Sequence, residues 1–400
     1  MKILNLPVIC LMTLLIVYSC TTEKKTVEVP DTKKMLEYCV AKTVISMNSL
    51  SEADSFPRNI YPKQTNWNKV GVFDWTSGFW PGVLWLTYEA SGDTVILANA
   101  RKFTVPLRKV LSVPVDNHDL GFMLNLSFGN GYRLTKDSAY HVLLIKAADS
   151  LATLYNPKVG TILSWPSMRA KMNWPHNTII DNMINIELLF WASKNGGEAR
   201  LYDIALKHAE TCLHTLIRPD YTTYHVAVFD TVDGHFIKGV THQGYSDSSM
   251  WSRGQAWGIY GYTMCFRETG KLAFLETAQK LADVFIARLP KDGIPYWDFD
   301  DPSIPHAPKD ASAAAIAASG MLELSGLAKD MTAKTKYKNA AVALLAKLST
   351  PEYLSGEKNQ AFLLHSTGHK PNGTEIDASI IYSDYYYLEA LLRLKKMEQN

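Results

Sequence analysis

Ile179-Ile180-Asp181-Asn182-Met183-Ile184-Asn185-Ile186-Glu187-Leu188-Leu189-Phe190-Trp191 reads as a helix that opens on an acid and is apolar round most of its circumference. A helix at the surface of a domain keeps a polar face, whereas one with apolar side chains on nearly every side is enclosed by other helices. Asp119 followed by the apolar run Leu120 to Leu126 repeats the pattern, and Ser249 to Arg253, Asp310 and Ser383-Asp384 open three more helices on polar residues. Capping accounts for some of these starts, because Asp and Ser oxygens accept from the free N–H groups of a first turn. It does not account for the indole rings and basic groups that accompany them.

Outward from that stretch, apolar spacing at i, i+3, i+4 and i+7 predicts helices near 33–50, 78–91, 93–112, 119–128, 138–155, 181–195, 199–217, 249–268, 271–289, 310–326, 332–348 and 379–397. Breaks at Ser91-Gly92, Asn156-Pro157, Gly196-Gly197, Gly270 and Pro290 mark many ends. Only Thr223 to Asp230 with Gly234 to Val240 reads as a strand hairpin. Short links within hairpins alternate with long ones at 157–180, 218–248, 290–309 and 349–378. Six antiparallel helical hairpins with the long loops gathered on one face suit an all-α (α/α)6 barrel. The alternative, an open superhelix, lacks the fixed repeat period of a solenoid.

The ends and the bulk composition set the setting. Lys2, the apolar run Ile3 to Val17 and Val17-Tyr18-Ser19-Cys20 resemble a bacterial lipoprotein signal in which Cys20 carries the lipid; an ordinary secretion signal is the other reading. Residues 1–20 are thus expected to be a signal, 21–31 a tether and 32–400 one catalytic domain. The protein is expected to be exported, periplasmic or attached to the outer membrane, and to touch membrane only through that lipid. A net charge of +2 argues against nucleic acid as a partner. Cys39, Cys212 and Cys265 are too dispersed for a disulfide framework and read as buried thiols. No C-x-x-C occurs and no two of His225, His235 and His242 have ligand spacing, so neither a metal nor another cofactor is expected. The 10 Trp and 20 Tyr fit either an aromatic core or a surface for stacking on sugars.

Four clusters carry candidate chemistry. Asp74-Trp75-Thr76-Ser77-Gly78-Phe79-Trp80 places Trp75 either at a pocket rim or in a staple over the helix start. In Asn117-His118-Asp119 the carboxylate stands at the mouth of a buried helix, where desolvation raises its pKa. Trp165 and Asp181 form the third cluster; two acids on successive inner helices of one ring project into one cavity, as acid–base chemistry on sugars requires. The fourth joins His225, Gln243 and Arg253-Gly254-Gln255-Ala256-Trp257. Arg253 and Trp257, four apart, share a helix face, either to hold a carboxylate beside a stacked sugar or as a surface arginine over a packed indole.

Through His118-Asp119-Leu120-Gly121-Phe122, Asp181-Asn182-Met183 and Arg253 to Trp257, in that order, the chain resembles the unsaturated glucuronyl hydrolases, glycoside hydrolase family 88. The resemblance runs from the Trp75 turn to Ile381-Tyr382-Ser383-Asp384. It implies an (α/α)6 barrel without a metal, Asp181 as main general acid/base and Asp119 as its partner. It also implies that Trp75, His118, Trp165, His225, Gln243, Arg253 and Trp257 surround the sugar. The implied reaction releases 4,5-unsaturated glucuronic acid from oligosaccharides made by lyases, glycosaminoglycan-type disaccharides foremost. The stretch Gly368 to Asp377, where family members contact the next sugar, does not align. Three rivals are a sister enzyme on unsaturated galacturonic acid from pectin, a polysaccharide lyase using a Tyr or His base, and a non-catalytic glycan-binding lipoprotein. The pair His118-Asp119 favours the glucuronyl reading over the first, and the last has no need of both acids.

Overall fold

The computed structural model describes residues 29–399, so the expected signal and Cys20 lie outside the described residues. The helices run α1 (Thr32–Ser49), α2 (Phe79–Ser91), α3 (Thr94–Thr104) with a 3-10 continuation (Val105–Ser112), a π-helix (Gly121–Gly129), α4 (Asn130–Thr135), α5 (Ser138–Ala152), α6 (Met168–Lys171), α7 (Asn182–Asn185), α8 (Glu187–Lys194), α9 (Arg200–Thr215), α10 (Ser252–Thr269), α11 (Leu272–Arg288), α12 (Ala311–Leu327), α13 (Met331–Leu348) and α14 (Ile381–Gln399). Each helix predicted from the periodicity is present, and three differ internally. The segment 93–112 changes to 3-10 where Pro106, which has no N–H, enters the chain. The segment at 119 is wound as a π-helix and passes into α4. The segment 181–195 breaks between α7 and α8 at Ile186.

Packing closes the ring. α2 lies on the π-helix, the π-helix on α7 and α8, α7 on α10, α10 on α12, α12 on α14, and α14 on α2 again. α1, α3, α5, α9, α11 and α13 pack outside this inner layer, which makes the (α/α)6 barrel. Sequence explains the division. α10 is buried without a break from Ser252 to Cys265 and α12 from Ala311 to Leu322, as central helices must be. Outer α9 buries only Leu201, Ala205, His208, Ala209 and Cys212, one stripe at helical spacing. Gly92 and Gly270 end α2 and α10 in the left-handed conformation, each donating its N–H back to the helix. The three cysteines among the described residues, Cys39, Cys212 and Cys265, are buried free thiols.

The long connections lead from outer helices to the starts of inner ones and carry short strands. The predicted hairpin is present as β6 (Val226–Phe229) and β7 (Phe236–Val240), preceded in the chain by β1 (Phe56–Ile60), β2 (Asn68–Val70), β3 (Tyr155–Asn156), β4 (Thr161–Ile162) and β5 (His176–Ile179) and followed by β8 (Ser379–Ile380). The sheet order β5-β6-β7 is antiparallel, with Thr178 opposite Ala227 and Val226 opposite Val240. β5 and β6 are buried on both faces, and of the two only β6 lies in a segment whose sequence reads as a strand.

Candidate active site

Where the loops meet the inner helix starts lies a cavity of about 300 Å³ lined by Trp75, His118, Asp119, Trp165, Asp181, Gln243 and Arg253 among others. Four aspartates begin inner helices, and their side chains divide by task. Asp310 is spent on structure: Oδ1 accepts from the Ser312 N–H (3.0 Å) and Oδ2 from Arg253 Nη1 (3.0 Å). Asp384 likewise accepts from the N–H groups of Phe362 (2.8 Å) and Leu363 (3.1 Å). Asp181 makes no cap bond, and its buried Oδ2 has no hydrogen-bond partner among the described residues. Asp119 stands before the π-helix with Oδ1 3.5 Å from His118 Nε2. Each of these two is only 8% exposed. Capping therefore does not explain them, and an uncompensated buried carboxylate is costly unless it has chemistry to do.

Burial pushes the Asp119 carboxyl up to about 7, with Asp74 and Asp116 adding repulsion and the Asn185 amide opposing. Burial raises Asp181 to about 6; His118 and Arg253 oppose, and Asp119 adds to the rise. Both acids are thus raised into the range near neutrality, where each can exchange a proton. His225 faces the pair. Its Nδ1 accepts from the N–H groups of His242 (3.1 Å) and Gln243 (3.0 Å), so the proton of the neutral ring sits on Nε2, 3.8 Å from Asp181 Oδ2. Burial holds its pKa well below the usual histidine value, with His242 and Arg253 adding, and burial lowers His118 to about 4.

Local structure holds the acids in register. His118 N–H donates to the Ser164 carbonyl, Ser164 Oγ accepts from the Ile179 N–H, and the Ile180 N–H donates to the His225 carbonyl. Trp165 is clamped by Asn177, which accepts from its N–H and donates to its carbonyl, both at 3.0 Å. The π-helix and α7 meet at Gly121, where a Cβ would come within 2.5 Å of Asn185 Cα. Asn185 Oδ1 there accepts from the Phe122 N–H at 2.8 Å. Both readings of the Trp75 turn hold together: the ring lines the cavity and packs on Phe79 (5.9 Å), Phe122 (5.8 Å) and Tyr382 (5.3 Å).

Arg253 and Trp257 part company. Arg253 is buried, not a surface residue; besides Asp310 it donates to the carbonyls of Thr367 and Gly368, and the rings over it are Trp251 (4.6 Å) and Tyr382 (5.3 Å). Trp257 is fully buried against Phe122 (5.2 Å) and Tyr386 (5.4 Å), and neither it nor His225 is among the residues lining the cavity. Sequence reasoning missed Arg58, His369, Glu375 and Tyr382, which also line the cavity. Glu375 accepts from Arg58 Nε (2.7 Å) and Asn59 Nδ2 (2.6 Å), tying the loop before α14 to β1. Pro371-Asn372-Gly373 signals a turn in that loop, but no periodicity tells where it folds. Among the described residues the one group of three possible metal-binding side chains, Asp230, Asp233 and His235, sits on the β6–β7 turn outside the cavity lining.

An (α/α)6 barrel with two desolvated carboxyls at the mouth of its inner ring is equipped for acid–base chemistry on sugars, and the class it belongs to is that of the glycoside hydrolases. The chain belongs to Glycosyl Hydrolase Family 88, whose profile it matches over residues 48–399. It is 42% identical to an unsaturated glucuronyl hydrolase of Formosa agariphila over 86% of each chain. It is 37% identical to an unsaturated chondroitin disaccharide hydrolase of Streptococcus pyogenes, over 86% of this chain and 87% of that protein. The crystal structure of an unsaturated glucuronyl hydrolase specific for heparin superposes with a TM-score of 0.87 at 41% identity, covering 92% of this chain and 98% of that one.

Proposed function

We propose that this enzyme releases 4,5-unsaturated glucuronic acid from the non-reducing end of lyase-generated oligosaccharides by hydrating the C4=C5 double bond. The observation that carries this is the carboxyl pair Asp119 and Asp181, buried, raised and with a free Oδ2 on Asp181 beside neutral His225. The double bond left by a lyase is an enol ether with the ring oxygen, so the anomeric carbon need not be attacked. Protonated Asp181 gives its proton to C4, and positive charge develops at C5 and the ring oxygen. Water adds at C5, the Asp181 carboxylate takes a proton from it, and the resulting hemiketal opens to free the remaining sugar. The higher value of Asp119 favours the proton there in the empty site, so the reaction requires it to rest on Asp181 with the sugar bound; ionised Asp119 then supports the positive charge and, by repulsion, the protonated form of Asp181. The uronate carboxylate brings another negative charge beside the two acids, which raises both further. Trp75 and Trp165 offer ring faces for the sugar, while His118, Gln243 and Arg253 supply polar contacts at the wall.

The test is loss of ultraviolet absorbance when the mature protein meets unsaturated disaccharides from chondroitin, hyaluronan, heparin and pectin lyases. Decay on a glucuronyl substrate supports the assignment and its fastest substrate names the parent polymer; decay on the pectin product alone moves it to galacturonic acid, and no decay with folded protein sinks it. We also propose that the enzyme is exported and held at a membrane by lipid on Cys20, on the strength of the short apolar run that ends there. Cys20→Ala should abolish lipid labelling and release the protein into the soluble fraction.

A further inference from the structure

Two cavity-lining loops bring His242 and His369, 127 residues apart in the chain, to an Nε2–Nε2 separation of 3.4 Å with their rings crossing at 78°. That separation lies at the long end of a hydrogen bond from the Nε2–H of His369 to His242 Nε2. It matches two imidazole ligands of a tetrahedral zinc ion, whose nitrogens at ~2.0–2.1 Å from the metal stand about 3.3–3.4 Å apart. We propose that His242 and His369 form a binding site for a divalent first-row ion such as Zn²⁺, which bridges the two loops and blocks the cavity.

Both rings are half-buried at the cavity wall. The tautomer is adjustable. His369 Nδ1 accepts from the Asn372 N–H at 3.3 Å, but that N–H has the His369 carbonyl at 3.2 Å as a second acceptor. The ring therefore gives up the Nδ1 contact at little cost, moves its proton to Nδ1 and presents Nε2 to the ion after a modest rotation of each imidazole. The remaining coordination positions face the cavity, open to water or to the carboxylate of a bound sugar. Two protein ligands make such a site weaker than the three-ligand zinc sites of metalloenzymes.

The blocking effect rests on the proposed hydrolase reading; ion binding does not. The experiment is calorimetric titration of Zn²⁺ into the full-length mature protein and into His242→Gln, His369→Gln and Asp233→Asn variants, each checked for folding by thermal melting. One equivalent bound by the wild type, weakened at least tenfold by either histidine change and untouched by Asp233→Asn, is the expected result. No zinc binding by the wild type, or binding that survives in a folded His369→Gln variant, overturns the proposal. Turnover without zinc that falls with occupancy of the site is the expected activity result. Turnover unaffected at full occupancy refutes the block, whereas absence of turnover before zinc is added indicts the assigned reaction instead.

Discussion

At the scale of single residues, the two acids are separable by experiment. Asp181→Asn should lower kcat by at least ~10²–10⁴-fold in the absorbance assay, the range general acid–base groups supply; near-full activity would refute its role. Asp119→Asn removes a negative charge that raises Asp181. Because the reaction needs protonated Asp181, activity should fall as pH rises through the pair's values of about 6 and 7, and in Asp119→Asn the fall should move to lower pH. Stability runs the same way. A carboxyl whose folded value exceeds its unfolded one binds its proton more tightly when folded, so its contribution is lost as pH rises from about 4 to 7. Asp119→Asn should therefore melt a few degrees higher than wild type at pH 8 and level with it at pH 4, a gain in stability against a loss of activity. Both acids were legible in the chain, because an Asp heading an apolar helix is a local pattern. The burial of Trp257 was not legible: spacing shows which residues share a face, but α10 is buried on every side, so the shared face does not say which ring reaches the cavity.

At the scale of elements, the π-helix and α7 act as a rigid pair that sets the distance between the acids. Their contact at Gly121 admits no Cβ, since the obstruction is Asn185 backbone as well as side chain. Gly121→Ala should cost ~1–3 kcal/mol of stability, typical of overpacking, and lower kcat with little change in KM; an unchanged melting temperature and rate would show that the helices slide freely. The loop before α14 is held by Glu375 from one side and by the Arg253 contacts to Thr367 and Gly368 from the other. Glu375→Ala should raise KM about tenfold, kcat changing less, because a loosened wall costs binding before chemistry. Helix positions were legible from period alone. The π winding, the break at Ile186 and the doubly buried strand β5 were not, since each arises from neighbours packed on all sides and leaves no periodic signature.

At the scale of the molecule, inner helices start at the loop-bearing face, so their N–H ends surround the cavity and favour a bound carboxylate. α14 is the closing stave, packed between α12 and α2. A chain ending before it, at residue 378, should be insoluble or lack a cooperative melt, because the apolar faces of two inner helices would meet water; a soluble, cooperatively melting fragment would show the ring to be dispensable. Closure could be expected from helix count and alternating loop length, both properties of the chain in order. Sequence by itself determined the helices, their grouping into hairpins and the two acids at buried helix starts, because periodicity and capping act over a few residues. Only the tertiary structure decided that the carboxylates of Asp119 and Asp181 are left free while Asp310 is spent on a cap and on Arg253 and Asp384 on the loop N–H groups of Phe362 and Leu363. It alone placed Trp257 in the core and brought His369 and Glu375 to the wall, because burial and partnership depend on residues hundreds of positions apart.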